Sequence, residues 1–241
     1  MFVRRSLIVL ALALAVVRCT DQPTGLQHSP VPQPLQQSTL PQFLQWARDV
    51  APQFTAISGA NQGNGNHKGH QFRSPPISLD TYQVSFWAVR GESRSVQINY
   101  ASAIDSLSHP FMQLTVTDPT FVPGSGDLAE GDSVLVTVVI DTTKIGLTLL
   151  PTGLQFGERA QLRIWYGGAM GDLNGDGVVD SVDAGIENQL LGLAYRESPN
   201  DAWARVPAEQ SLTDQSFTSA LPHFCDFAIS LDALLDWTVS W

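Results

Sequence analysis

The sequence predicts a mainly β protein, built as an antiparallel β-sandwich. Three observations favour this fold class. From about residue 78, apolar and polar residues alternate in short runs; turn-forming residues separate those runs; and charged residues make up only 15% of the 241 residues. An alternation of period two is the pattern of half-buried strands, and regular spacing of short strands is typical of sandwiches. The 43% of hydrophobic residues is enough for a core.

Five alternating runs carry most of this prediction. They are Val84–Ala88, Val96–Tyr100, Met112–Val116, Val134–Ile140 and Leu162–Tyr166. Each run has one apolar face, and two sheets that bury such faces against each other form a core. We therefore expect an antiparallel, immunoglobulin-like β-sandwich that occupies residues 78–241, with a calcium-binding loop inserted into it.

The first 18 residues predict an export signal. Arg4 and Arg5 precede an apolar run, Leu7–Val17, which is too short to span a bilayer. Two cleavage sites remain open: one follows Ala15, and the other precedes Cys19. The segment that begins at Cys19 resembles the start of a bacterial lipoprotein, which implies acylation of that cysteine. The expected location is extracytoplasmic, either secreted or lipid-anchored at the cell envelope, with no other membrane attachment.

Residues 19–77 predict a linker. Four prolines stand among glutamines and serines before residue 40, and glycine and asparagine dominate residues 58–70. A short helix near 41–51 interrupts the linker in this prediction. Phe43, Trp46, Ala47 and Val50 follow one another at helical spacing.

The segment 172–183 matches a twelve-residue calcium loop. Side-chain oxygens stand at loop positions 1, 3, 5, 9 and 12, and position 7 offers a backbone carbonyl. The predicted ligands are Asp172, Asn174, Asp176, Val178, Asp180 and Asp183. Ca²⁺ requires six to eight such oxygens, and Gly177 at position 6 permits the sharp turn. Val179 at position 8 is expected to point into the core.

The loop resembles the repeat of type I dockerins, Asp-x-Asn-x-Asp-Gly-x-Val-Asp-x-x-Asp. This resemblance implies that Ile186, Leu190 and Leu193 continue as a short helix, and that a protein partner docks in the presence of calcium. Dockerins carry two repeats, and this sequence has one; Asp127–Asp132 lacks the spacing. The favoured interpretation is a single loop inserted between two strands, where the bound metal stabilises the fold.

The order of elements in residues 130–230 resembles a β-sandwich domain shared by ankyrins, tight-junction scaffolds and netrin receptors. The elements are a strand at Ala160–Tyr166, a second at Leu190–Arg196, a hairpin with Trp203, a strand at Ser216–Leu221 and a closing strand at His223–Ile229. The resemblance implies a protein-interaction module without catalytic activity. Cys225 is expected either as a small buried core residue or as a disulfide partner of Cys19.

The net charge and the catalytic motifs that the sequence lacks narrow the range of possible functions. Thirteen Lys and Arg against 23 Asp and Glu give a net charge of −10, which excludes phosphate neutralisation and therefore nucleic-acid binding. Neither a Gly-x-Ser-x-Gly elbow nor a His-Glu-x-x-His pair is present. We therefore expect a non-enzymatic, exported, calcium-binding surface module with a protein or polysaccharide partner. The alternative is a dockerin-like component of a polysaccharide-degrading assembly, and a secreted hydrolase is the least favoured hypothesis.

Overall fold

The computed structural model describes residues 43–47, 53–59, 77–78, 82–102, 105 and 107–231; of 53–59 and 77–78 it describes the strands alone. The protein is mainly β, and its paired strands are antiparallel. The described part has fifteen strands, one α-helix and one short 3₁₀ helix.

The elements follow one another along the chain in a simple order. The strands are β1 (Gln53–Gly59), β2 (Ile77–Ser78), β3 (Gln83–Val89), β4 (Arg94–Ala101), β5 (Ser108–Val116), β6 (Pro119–Val122), β7 (Gly126–Asp127), β8 (Ser133–Asp141), β9 (Gly146–Leu150), β10 (Gln155–Trp165), β11 (Leu191–Arg196), β12 (Ala204–Arg205), β13 (Glu209–Ser211), β14 (Ser216–His223) and β15 (Asp226–Leu231). The 3₁₀ helix (Gly167–Ala169) and helix α1 (Ser181–Gln189) lie between β10 and β11.

Two antiparallel sheets organise these strands. The larger has the order β13-β14-β10-β5-β4-β1-β2, with β6 paired to β10 and β7 paired to β6. The smaller has the order β12-β11-β15-β9-β8-β3. Strand β10 therefore ends in the larger sheet, and the chain next enters the smaller sheet at β11, so the segment between them connects the two sheets.

The apolar faces of both sheets contribute to one hydrophobic core. The larger sheet supplies Ile98, Leu114 and Leu162, and the smaller supplies Val138 and Ile229; all five are buried in the same cluster. This arrangement is consistent with a β-sandwich. The five alternating runs fall within β3, β4, β5, β8 and β10, so the predicted strands are confirmed.

The predicted helix near 41–51 is wrong for the described residues 43–47, which are extended. Phe43 forms a bridge with Ser230, and the Leu44 N–H donates to the carbonyl of Ile229 at 3.0 Å. The Ile145 N–H in turn donates to the carbonyl of Leu44 at 2.8 Å. The segment thus hydrogen-bonds between two parts of the smaller sheet. These long-range bonds replace the local bonds of a helix.

The extended segment also contributes to the core. Leu44 and Trp46, two positions apart, are both buried, as expected of neighbours on one face of a strand. The indole N–H of Trp46 donates to the carbonyl of Asp141 at 2.9 Å, and its ring lies 5.0 Å from the ring of Phe111. The backbone of Gly168 lies against the same indole. The segment therefore belongs to the folded domain.

The linker prediction for 19–77 is likewise wrong at two described strands. β1 pairs with β4 along its whole length, and β2 pairs with β1. Both strands add to the edge of the larger sheet, so the β domain begins before residue 78. The signal (1–18), Cys19, the proline-rich segment and the tail 232–241 lie outside the described residues.

Among the described residues, no helix has both the length and the apolarity that crossing a bilayer requires.

We predict that Gly168→Ala lowers the free energy of unfolding by about 1–3 kcal/mol, because the new methyl group overpacks the core. A Cβ at this position would lie 2.6 Å from Cε3 of Trp46, a ring that cannot bend away. Urea denaturation measures the change. The control is Gly185→Ala in α1, where no atom lies within 4 Å of the new Cβ. Alanine should stabilise that helix slightly, and equal destabilisation by both substitutions would contradict this account.

Candidate functional site

The segment 172–183, called here the acidic loop, lies in the connection between the two sheets. It begins three residues after the 3₁₀ helix and ends inside the first turn of α1. Strand β10 precedes it and β11 follows it, so the predicted insertion between two strands is what the structure has. Both ends of the loop are therefore fixed by sheet strands.

Side chains of the acidic loop accept hydrogen bonds from nearby backbone N–H groups and so hold the backbone in its turns. The carboxylate of Asp172 accepts hydrogen bonds from the N–H groups of Gly175 at 2.8 Å and Gly177 at 2.9 Å. Oδ1 of Asn174 accepts from the N–H of Asp176 at 2.9 Å. Gly175 and Gly177 have φ angles of 77° and 89°, in the left-handed region that favours glycine. The turn at loop position 6 is therefore as the sequence predicted.

Asp183 closes the loop. Its side chain is buried, with the residue 3% exposed. Oδ1 accepts from the N–H of Leu173 at 2.7 Å and of Asn174 at 3.2 Å, and Oδ2 accepts from the N–H of Asp180 at 2.9 Å. Burial by itself raises the pKa of this carboxyl, but the backbone donors outweigh burial and hold the pKa below its ordinary value. Asp183 is therefore ionised at neutral pH.

Helix α1 begins with a capping box. Asp180 is the N-cap and accepts from the N–H of Val182 at 2.7 Å, while Asp183 bonds back to the N–H of Asp180. The two side chains satisfy N–H groups that a helix start leaves without partners. The same two residues are predicted calcium ligands, so the end of the loop and the start of the helix share their side chains.

The far side of α1 is held against the body of the protein. Ile186 is buried in the core cluster. The hydroxyl of Tyr166 donates to Oε1 of Glu187 at 3.0 Å, and Nε2 of Gln210 donates to the carbonyl of Glu187 at 2.9 Å. Burial, which outweighs the opposing bond from Gln210, raises the pKa of Tyr166 to about 12, so the tyrosine stays protonated and remains a donor. These contacts fix the helix that carries Asp183.

The predicted ligands lie in one loop, but their oxygens face backbone N–H groups and do not converge. Among the described residues, one group of three acidic, imidazole or thiol side chains has its ligand atoms within 4.8 Å of one another, and it lies elsewhere: Glu197, His223 and Cys225. Asp176, Val178 and Asp180 are exposed. Ligation of one ion would therefore require the carboxylates to rotate away from their present N–H donors.

Two details of the predicted loop are wrong. Val179 does not point into the core but is 64% exposed, with its side chain over Gly171. Leu173 is the buried apolar residue of the loop. The expected helix also stops earlier than the dockerin resemblance implies: α1 ends at Gln189, and Leu193 belongs to β11. The pairing of β11 with both β12 and β15 accounts for this difference.

The acidic loop carries negative charge that no basic side chain of the described residues neutralises. It holds four carboxylates in twelve residues, and none of the ion pairs found within the described ranges involves them. Carboxylate, amide and carbonyl oxygens are the ligands that hard divalent cations take. The predicted ligands of the loop are groups of this type.

Three tryptophans of the described residues, whose rings are of the type that stacks on sugars, differ in exposure. Trp87 is 57% exposed on the outer face of the smaller sheet, opposite Leu135 in the register of β3 and β8. Trp165 is half-buried beneath the guanidinium of Arg163, and Trp203 packs 4.8 Å from the ring of Phe43. Trp87 alone of the three presents an open ring face.

Cys225 and His223 were not placed in a site by sequence reasoning. Cys225 is a free, buried thiol, which agrees with the expectation that it is a small core residue. Sequence reasoning did not identify Glu197, because it lies 26 residues before His223 and no motif with that spacing connects the two. The strand pairing of β11 with β15 is the signal that brings these residues together.

Comparisons with protein-family models, with curated proteins and with solved structures found no match to this chain.

We predict that Asp183→Asn lowers the free energy of unfolding at neutral pH by about 1–3 kcal/mol without any added metal, because one side of the amide cannot accept a backbone N–H. The carboxylate's contribution is complete above its unfolded pKa, near 3.8, and is lost as the pH falls through its lower folded value. The gap between wild type and variant in urea midpoints should therefore narrow in acid.

Asp132→Asn is the matched control. Asp132 also accepts a backbone N–H, from Ala129 at 2.7 Å, but it is exposed. Its substitution should change the urea midpoint little. A gap for Asp183→Asn that stays constant, or widens, as the pH falls below the unfolded value would contradict the role given to Asp183.

Proposed function

We propose that this protein is an exported, non-catalytic surface module of immunoglobulin-like β-sandwich type, which binds Ca²⁺ through the acidic loop. One observation carries the proposal: four carboxylates are wound round a left-handed glycine turn, with no basic partner among the described residues. Such a segment is electrostatically unfavourable alone and favourable around a divalent cation. The partner of this module is a protein or a polysaccharide.

The residues present fit the ion. Asp172, Asn174 and Asp176 stand at loop positions 1, 3 and 5, and Asp180 and Asp183 stand at the start of α1. With the carbonyl of Val178 these groups supply the six or more oxygens that Ca²⁺ takes. The glycine turns that reverse the chain are already formed, so side-chain rotation is the main rearrangement needed.

The site's place in the fold gives the ion a structural role. The loop and α1 connect the larger sheet to the smaller one. An ion that joins the loop's first residues to the helix start would stabilise this connection and leave the exposed faces of the sheets free for a partner. The interaction role in this proposal rests on the sequence resemblance of residues 130–230 to the ankyrin, tight-junction and netrin-receptor domain.

We predict that Ca²⁺ raises the midpoint of thermal unfolding in a concentration-dependent manner, because it binds the native state. At a free concentration one hundred times the dissociation constant, the gain is about 2.7 kcal/mol. The double variant Asp172→Asn/Asp176→Asn should keep its fold and lose this response. Asparagine retains one acceptor oxygen at each position, so only one of the two N–H bonds that Asp172 accepts is lost, in a solvent-accessible part of the loop. Asp183 is buried and carries a structural role, which makes it a poorer test.

Asp127→Asn/Asp132→Asn is the charge-matched control for that measurement. It removes the same two negative charges from an acidic segment that lacks the loop spacing. This control should respond to Ca²⁺ as the wild type does. Melting curves in Ca²⁺, Mg²⁺ and EGTA that superimpose for the wild type, or a response that persists in the loop variant, would refute the calcium site.

A second candidate function is calcium-dependent docking, as in a polysaccharide-degrading assembly. Its specific support is a group of exposed apolar side chains at the loop and the first turn of α1: Val178, Val179 and Val182. Exposed apolar groups beside a rim of carboxylates are typical of a protein-binding surface. A docking partner would cover these three valines.

We predict for this alternative that a cohesin domain captures the wild-type chain in Ca²⁺ and not in EGTA, since the partner needs the ordered loop. Val179→Ser/Val182→Ser should abolish capture while the melting response to Ca²⁺ persists. Val122→Ser, a half-buried valine far along the chain, serves as the control. Equal capture with and without Ca²⁺ would exclude calcium-dependent docking, and no capture at all would exclude cohesin docking. Either result would leave the surface-module proposal standing.

A further inference from the structure

A second group of ligand-type side chains lies where three strands end or begin. Glu197 follows β11 directly, His223 is the last residue of β14, and Cys225 immediately precedes β15. One carboxylate oxygen, one imidazole nitrogen and the thiol sulfur lie within 4.8 Å of one another. This group is separate from the acidic loop and shares none of its residues.

Strand register explains why Glu197 and Cys225 meet, and His223 lies two residues before Cys225 in the chain. Arg196 pairs with Asp226 at the end of the β11–β15 ladder, so the next residue along, Glu197, comes opposite Cys225. The carboxylate of Asp226 accepts from Nε of Arg196 at 2.8 Å and from the hydroxyl of Thr148 at 2.6 Å. Asp226 is thereby committed elsewhere, and Glu197 is the acidic group that faces the histidine.

The present contacts leave one buried polar atom of the group without a hydrogen-bond partner. Nε2 of His223 lies 3.2 Å from Oε1 of Glu197, but Nδ1 is shielded from solvent and has no hydrogen-bond partner within the described residues. Cys225 is 1% exposed and is a free thiol. A buried ring nitrogen without a partner is rare in folded proteins and requires a specific explanation.

A cavity of about 350 Å³ adjoins these side chains. His223 and Cys225 line it, together with Tyr195, Arg159, Pro207 and Leu221. The space is large enough for water or a small exogenous ligand. One side of the Glu/His/Cys group therefore faces room for a further ligand.

We propose that Glu197, His223 and Cys225 bind a zinc-class transition-metal ion, with the fourth coordination position facing the cavity. Thiolate with imidazole selects ions such as Zn²⁺ over Ca²⁺ and Mg²⁺, which take oxygen alone. Three protein ligands with one open position is the arrangement of zinc sites that exchange a fourth ligand. The two metal sites of this chain would thus take ions of different chemistry.

The geometry requires a small adjustment. Ligand atoms around a tetrahedral zinc ion lie about 3.3–3.8 Å apart, given metal–ligand distances of about 2.0–2.3 Å. The separations here are at most 4.8 Å, so the group must contract by no more than about 1–1.5 Å. Glu197, whose side chain is 49% exposed, is free of packing constraints and can supply that movement by a change of rotamer.

Binding converts the thiol to a thiolate. Burial, with a smaller contribution from the charges of Glu197 and Asp226, raises the pKa of the Cys225 thiol in the metal-free protein. When the ion binds, the S–H bond breaks, a sulfur–metal bond forms and one proton passes to solvent. No group is oxidised or reduced in this step.

Co²⁺ titration of the purified full chain tests the proposal, with Zn²⁺ as competitor. We expect one Co²⁺ per chain, with a thiolate-to-cobalt charge-transfer band and the intense visible bands of a tetrahedral site, all removed by Zn²⁺. Cys225→Ala should abolish the charge-transfer band. Glu197→Gln, at an exposed position that the fold tolerates, should weaken Co²⁺ binding about tenfold or more.

His109→Gln is the matched control. His109 also contacts a carboxylate, Asp105 at 2.7 Å, but this pair lies at the surface. That variant and Cys19→Ala should bind Co²⁺ as the wild type does. Failure of the band to appear at saturating Co²⁺, its survival in Cys225→Ala, or equal weakening by His109→Gln and Glu197→Gln would overturn the proposal.

The calcium loop and this site are tested independently. Excess Ca²⁺ should leave the cobalt spectrum unchanged, and the Asp172→Asn/Asp176→Asn variant should give the wild-type spectrum. Displacement of Co²⁺ by Ca²⁺, or loss of the band in the loop variant, would assign the cobalt to the acidic loop and overturn the second site.

Discussion

The connection between the two sheets depends on the hydrogen bonds that Asp183 accepts. This carboxylate joins the start of the acidic loop, at Leu173 and Asn174, to the start of α1, at Asp180. Three backbone N–H groups that the loop would otherwise leave without partners are satisfied by one ionised side chain. Because Ile186 and Glu187 fix the next turn of the helix, the position of Asp183 determines where the loop can lie.

The same carboxylate explains why cation binding and folding are linked in the proposed function. An ion that draws Asp183 toward itself competes with the backbone donors that now hold it. The N–H groups of the loop compensate the negative charge without metal, which keeps the loop wound but leaves its oxygens apart. Calcium affinity is therefore the difference between ligation and the hydrogen bonds already present, and it is not set by the number of carboxylates alone.

Local periodicity predicted the strands well and failed where contacts are distant. Val134–Ile140 has a single buried face, so its alternation alone identifies β8. Phe43 and Trp46 have the spacing of a helix, but the backbone of that segment bonds to Ile145 and Ile229, which no local rule can anticipate. The prediction that Val179 points into the core was wrong, because an apolar residue type in a loop does not specify whether its side chain is covered. Glu197 became visible only through the register of β11 with β15.

Strand β11 connects the two proposed metal sites along the chain. Its first residue follows the helix that carries Asp183, and its last residue precedes Glu197. Oxygen ligands in the acidic loop favour a hard ion, and the thiol of Cys225 favours a softer one, so ligand type separates the two sites. Because β11 is hydrogen-bonded to β15 through its whole length, a shift of register by one residue would remove Glu197 from Cys225 and exchange the positions of Leu191 and Leu193 with those of the small residues Gly192 and Ala194. The packing of Leu191 and Leu193 in the core therefore fixes the register, and through it the ligand geometry at the far end of the strand.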